Sequence, residues 1–235
     1  MLRARLSTFV LVHGSWHGGW CWKKVIPRLV ERGYTCFAPT LSGMGERFHI
    51  ASRNIGLSTH IQDIVNLLEF EDLNDVILVG HSYSGMVITG VVEKSSRVKK
   101  LVYLDAIVPE HGQSVFSLIT GMEDQFKSIV DSNGMVASWK PMDFGVTDPQ
   151  DVEWMKTRLT SMPILTHQEK LDAPKMKAKK LPRYFVHCTQ FGLGGFAEKI
   201  RREGGTVFDL DTGHDAMITE PEKLSSILDR IASTS

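Results

Sequence analysis

Neither sign of charge predominates in this chain. Its 27 Lys and Arg are matched by 27 Asp and Glu among 235 residues, and the basic residues gather only in scattered pairs such as Lys23-Lys24, Lys99-Lys100 and Lys179-Lys180. Binding to nucleic acid or to an anionic membrane needs a basic patch, so neither is an expected partner. Cysteine is scarce as well. Cys21, Cys36 and Cys188 stand far apart with no C-x-x-C spacing, which reads as three reduced, buried thiols and suits a cytosolic, cytoplasmic protein. Long apolar runs are missing: nothing approaches the roughly 20 residues of a membrane span. In the N-terminal "TFVLVHG" the apolar run ends at His13, short of the roughly 7–15-residue apolar stretch of a signal peptide. It reads as a buried strand instead. No internal repeat or low-complexity segment appears.

What the chain does have is alternation. Near-continuous apolar runs at Thr8–Val12, Tyr34–Ala38, Val76–Val79, Lys100–Leu104, Tyr184–Cys188 and Thr206–Leu210 are separated by helical patterns. Those patterns cover Gly19–Arg32, Ser58–Phe70, Ser82–Lys94, Gly195–Glu203 and Pro221–Ala232. Strands covered on both faces are apolar throughout, and the β-α-β-α order predicts a mainly parallel sheet flanked by helices. In the second helix Ile61, Ile64, Val65 and Leu68 form one stripe, with Ser58 as its N-cap. The rhythm breaks between 112 and 180, where aromatics and methionines gather without a clear strand. This predicts an inserted helical cap over a core made of 1–111 and 181–235. Trp16, Tyr83, Trp139 and Trp154 are the candidate walls of a pocket beneath it, or ordinary core aromatics.

The chemistry concentrates in "VILVGHSYSGMV". A buried strand runs through Gly80-His81 into Ser82, and a helix follows. This is the strand-turn-helix setting of a nucleophile elbow, in which a strained turn lifts the serine hydroxyl clear of the sheet. The pattern G-x-S-x-G is satisfied up to Tyr83, but its last glycine is replaced by Ser84, with Gly85 one place late. Backbones pass closely there, so a small residue is required and serine is small; Ser84 reads as a packing residue of the first helical turn. A serine nucleophile needs a base. "LDTGHDAM" supplies His214 after the last strand, in the order serine then late histidine. After the first strand, "HGSW" forms a turn whose Ser15 N–H, with the Tyr83 N–H, is a candidate oxyanion hole; the bland alternative is a plain tight turn.

Five segments together, "VLVHGSWHGGWCW", "GYTCFAPTLSGMGER", "VILVGHSYSGMV", "LVYLDAIVPEHGQS" and "LDTGHDAMITEPEKL", resemble the α/β-hydrolase superfamily. Within it the likeness is to the plant methylesterase and hydroxynitrile-lyase group and its bacterial carboxylesterase, pyrethroid-hydrolase-like relatives. The resemblance implies an α/β-hydrolase fold with a helical cap over a deep pocket. It also implies a serine carboxylesterase acting on small to medium lipophilic esters, aromatic or of pyrethroid type, through an acyl-enzyme, with no metal and no organic cofactor. The partner is then a small-molecule ester. The oligomeric state, monomer or homodimer, is left open.

The chain departs from its plant relatives in one respect. They carry the triad acid after the strand matching "RYFVHCT", where this chain has "QFGLGGF". Asp105, ending the strand next to the nucleophile strand, is the candidate acid; Asp209, Asp211 and Asp215 are its competitors, and a loop-capping role is the alternative for Asp105 itself. Two other readings belong to the same scaffold. A hydroxynitrile lyase of this group has Thr where this chain has Gly14 and Lys where it has Asp215, which argues against cyanohydrin cleavage. The other is a slow-turnover ligand-binding receptor; the intact Ser82 and His214 weigh against a dead site but not against a slow one.

Overall fold

The computed structural model describes residues 7–234; the opening MLRARL of the segment 1–111 and Ser235 lie outside them. Eight strands occur among the described residues: β1 Thr8–Val12, β2 Thr35–Phe37, β3 Val76–His81, β4 Val98–Leu104, β5 Met135–Val136, β6 Met162–Pro163, β7 Arg183–Cys188 and β8 Thr206–Leu210. Six of them make one sheet in the order β2-β1-β3-β4-β7-β8, and every pairing in it is parallel. This is the sheet expected from the apolar runs. The two central strands β3 and β4 are buried almost throughout, because helices cover both faces and every side chain needs an apolar environment.

Register places the site. His81 pairs with Leu104, Leu104 with Val186, and Cys188 with Leu210, so the carboxyl ends of β3, β4, β7 and β8 come together along one edge. Chain order reverses between β1 and β3, and it is at such a reversal that a crevice opens at the strand ends.

Several elements differ locally from these expectations. The helix expected over Gly19–Arg32 is split into a 3₁₀ turn at Gly19–Trp22 and a helix at Ile26–Glu31. Pro27 has no N–H to give the preceding turn, so the helix can only begin beside it. Ser58 is not an N-cap. The helix starts at Leu57, and the exposed N–H of Ser58 is taken by the Glu169 carboxylate at 3.0 Å. A charged acceptor reaching across from distant sequence has replaced the local one. The helix expected to begin at Ser82 starts at Ser84. Cys36 is only partly buried, unlike Cys21 and Cys188; burial pushes its thiol pKa up to about 11, and all three thiols are free.

The segment 112–180 holds short helices at Val115–Leu118, Met122–Ile129, Pro149–Lys156 and Leu165–Gln168. It also holds an antiparallel pair, β5 with β6, where no strand was expected. Two-residue strands are too short to show alternation in a sequence.

Candidate functional site

β3 delivers Ser82 through a tight turn. Ser82 has φ 57°, the left-handed region that a non-glycine residue enters only when its surroundings enforce it. Those surroundings are hydrogen bonds. The Ser82 N–H donates to the Leu104 carbonyl at 3.2 Å, and the Ser82 carbonyl accepts from Gly85 and Ile107 at 3.1 Å each.

The glycine requirement of the elbow has a measurable origin. A Cβ on Gly80 would lie 2.6 Å from the Ser84 carbonyl oxygen, and one on Gly85 only 1.9 Å from that of Ile107. Position 84 is free of that demand. Its serine is more than a packing residue, because its hydroxyl donates to the His13 carbonyl and ties the elbow to the turn after β1. Gly85→Ala is therefore expected to cost about 3 kcal/mol, since both atoms in collision are fixed by backbone. A thermal melt should show the midpoint falling by roughly 10 °C; an unchanged midpoint would contradict the close approach.

His214 lies between β8 and a short helix at Ala216–Thr219. Its Nδ1 is 2.6 Å from Asp105 Oδ2, with both side chains buried. Asp105 also occupies left-handed backbone, at φ 40°, and its other oxygen accepts from the Cys188 N–H at 3.3 Å. The competing carboxylates are engaged elsewhere. Asp209 faces His187 at 3.0 Å, Asp211 accepts from the side chains of Thr189 and Gln190, and Asp215 pairs with His17 at 3.0 Å. From "QFGLGGF" comes Phe191, whose ring stacks on His214 with centroids 4.0 Å apart. The loop in which the resemblance implied an acid here supplies a flat apolar backing for the imidazole.

Ser82 and His214 face one cavity of ≈ 380 Å³, walled by residues of both the sheet core and the 112–180 segment. No Ser82–His214 hydrogen bond is among those formed by the described residues; such contacts are often long before substrate binds. Ser15 and Tyr83 line the same cavity, and among the described residues neither backbone N–H has an acceptor. Trp16 and Trp139 also line it, their rings 4.9 Å apart. Trp154 does not: it packs edge-on against Trp20 at 5.1 Å, under the Arg158 guanidinium. Tryptophan types alone could not separate a wall residue from one packed against another part of the chain.

One group of residues was invisible to sequence reasoning. His17 Nε2 meets Asp215 Oδ2 at 3.0 Å while its Nδ1 meets the Ser15 carbonyl at 2.7 Å, all of it buried. Burial works to lower the His17 pKa, but the Asp215 charge and hydrogen bond outweigh it and raise it. The pair thus clamps the Ser15 turn to the segment bearing His214. The signal, "SWHGGW" against "GHDAM", spans 198 residues and lacks any spacing rule.

Four other histidines are buried and held neutral. Burial pushes His13 and His167 down to about 3 and also lowers His60 and His81. These folded pKa values lie below the unfolded 6.5, so between about pH 6.5 and 3 the unfolded chain binds more protons and acid destabilises the fold. His13 and His167 alone contribute about 3 kcal/mol per pH unit in that window. His17, shifted upward, acts at the other end: its contribution is complete below pH 6.5 and fades as pH rises through its folded pKa. Melting followed from pH 7 to pH 4 should therefore show a steep loss, with unfolding near pH 4–5 given a domain stability of about 5–15 kcal/mol. A midpoint that stays flat down to pH 4 would contradict the neutral burial of these rings.

Comparison with known proteins agrees with this geometry. The model of the alpha/beta hydrolase family matches residues 9–227. A carbendazim hydrolyzing esterase of Nocardioides sp. (strain SG-4G) is 33% identical over 95% of this chain and 98% of its own length. A putative chloroplastic methylesterase, methylesterase 11 of Arabidopsis thaliana, is 31% identical over 77% of this chain, which spans about half (51%) of that protein. Among solved structures, an extracellular alpha/beta-hydrolase from a Paenibacillus species superposes with TM-score 0.86 at 24% identity, covering 97% of this chain and 100% of the other. By fold, by sequence and by the elbow at Ser82, the chain belongs to the alpha/beta hydrolase family, among its esterases.

Proposed function

We propose that the chain hydrolyses small to medium lipophilic carboxylic esters, aromatic ones included, by way of an acyl-enzyme formed on Ser82. The observation that carries this reading is the short His214–Asp105 bond at the edge of a cavity that also receives the Ser82 side chain. With Nδ1–H donated to the carboxylate, Nε2 is left as a lone-pair base directed away from Asp105. Ser82 Oγ attacks the ester carbonyl as Nε2 takes its proton. The developing oxyanion is received by the unpaired N–H groups of Ser15 and Tyr83, aided by the helix that starts at Ser84. The tetrahedral centre then collapses, the C–O bond to the alcohol breaks, and His214 returns the proton to the leaving oxygen. Water repeats the sequence on the acyl-enzyme, releases the carboxylic acid and restores Ser82.

The cavity supports the lipophilic class. Its wall is built from residues such as Val115, Met122, Phe126, Trp139 and Phe144, and a polar ester group is catered for only at the strand ends. The 112–180 segment acts as the cap that excludes water from this space. Cyanohydrin cleavage fits poorly. A Cβ at Gly14 would lie 2.8 Å from Ser82 Cβ and 2.9 Å from His81 Nδ1, so the lyase threonine has no room. Asp215, where a lyase carries lysine, is held by His17.

The test is turnover of p-nitrophenyl acetate and methyl phenylacetate beside mandelonitrile. Ester hydrolysis with a rapid p-nitrophenol burst, equal in amount to the enzyme, is the expected result. Mandelonitrile cleavage without ester hydrolysis, or tight ligand binding with no turnover, would overturn it.

A further inference from the structure

Set into the apolar wall beside the proposed oxyanion hole is a buried polar chain that the hydrolytic mechanism does not use. Ser15 Oγ lies 3.1 Å from His167 Nε2, His167 Nδ1 lies 2.8 Å from Thr166 Oγ1, and the Thr166 hydroxyl donates to the Pro163 carbonyl at 2.7 Å. Ser15 and His167 both line the cavity, and all three side chains are buried.

Proton directions along this chain follow from counting donors. Thr166 has one hydroxyl proton, and the Pro163 carbonyl takes it. Thr166 Oγ1 is therefore the acceptor toward His167, whose Nδ1 carries the ring proton. A neutral imidazole has only one N–H, and burial holds this ring neutral. Nε2 must then accept, and the Ser15 hydroxyl must donate to it. What remains at Ser15 is an oxygen with lone pairs free and no proton to give, oriented into a pocket of hydrocarbon.

The neighbouring polar ring has no free donor either. Tyr83 stacks on His167 with centroids 5.0 Å apart, but its hydroxyl meets His60 Nδ1 at 3.0 Å while His60 Nε2 meets the Ser42 carbonyl at 2.9 Å. That carbonyl requires the His60 proton on Nε2, so the Tyr83 hydroxyl is spent on Nδ1.

We propose that Ser15 Oγ, fixed as a hydrogen-bond acceptor by His167 and Thr166, selects esters bearing a hydroxyl or N–H at the atom next to the scissile carbonyl. The inference rests on the esterase reading, in which the N–H of the same Ser15 binds the carbonyl oxygen. Oγ and N of one serine are three bonds apart, so a carbonyl oxygen at the N–H brings its adjoining atom beside Oγ. An acceptor in a dry wall discriminates strongly, because a substrate lacking the donor leaves it without a partner.

The experiment compares kcat/KM for methyl mandelate, its deoxy analogue methyl phenylacetate and the methyl ether methyl α-methoxyphenylacetate, in wild type, Ser15→Ala and His167→Phe. Only ratios between substrates within one protein are read, so a general loss of rate in a variant cancels. The wild-type preference for the mandelate over the deoxy ester should exceed that of Ser15→Ala by at least about tenfold, and the methyl ether should lose the preference. His167→Phe, which keeps a ring on Tyr83 but releases the serine proton, should fall between them. Hydrolysis of all three esters with the same ratios in wild type and Ser15→Ala overturns this proposal alone. Failure of wild type to hydrolyse any of them overturns the esterase reading and this proposal with it.

Discussion

Ser82→Ala lowers kcat for an aryl ester by about 10⁶, the scale set by loss of a serine nucleophile elsewhere. The protein itself should survive the change. Alanine at φ 57° carries a strain of about 1 kcal/mol or more, but serine carries the same strain, and the three backbone bonds that enforce the turn remain. KM should move little, because the cavity wall is untouched. Ser84→Ala provides the contrast within the same stretch. It removes only the bond to the His13 carbonyl, so it should leave kcat within about tenfold and cost about 1 kcal/mol of stability. Steady-state kinetics of the two variants, with melting curves, separate the serines; a Ser82→Ala enzyme of near-normal activity would remove the basis of the mechanism.

The second large effect is expected at Asp105→Asn, about 10⁴ in kcat. The reason lies in the two bonds that the carboxylate accepts. Oδ2 takes His214 Nδ1–H at 2.6 Å and Oδ1 takes the Cys188 N–H at 3.3 Å. Asparagine offers one acceptor oxygen and one NH₂. Whichever way it turns, a donor faces a donor, either at the Cys188 backbone or at the imidazole. If the NH₂ faces His214, the ring proton moves to Nε2 and the base toward Ser82 is lost. Asp211→Asn and Asp209→Asn, by contrast, alter pairs at the surface and should change kcat less than about twofold. A large loss at Asp211 with none at Asp105 would reverse the assignment.

These residues differ in how far the sequence discloses them. Ser82 is legible because an elbow demands a local pattern, strand then turn then helix, within about ten residues. His214 is legible by its place after the last strand. Asp105 could be proposed from its strand end, but elimination of Asp209, Asp211 and Asp215 had to wait for their partners, which only folding supplies. The sheet was readable because parallel strands buried on both faces are apolar throughout. What escaped were features made by distant segments: Glu169 capping the helix at Leu57, His17 bonded to Asp215, and Ser15 bonded to His167 across 152 residues. Such pairs obey burial and hydrogen-bond satisfaction, which have no period along the chain. Trp154 shows the opposite error: its residue type suits a pocket wall, yet Trp20 and Arg158 cover it.

Reaction with a p-nitrophenyl phosphonate ester, followed by peptide mapping in a mass spectrometer, tests the central claim most directly. The account predicts one phosphonyl group per chain, on Ser82, appearing in step with loss of esterase activity and much more slowly in His214→Ala. Complete inactivation with the label on Ser15 or Ser84, or labelling of Ser82 that leaves ester hydrolysis intact, would contradict it.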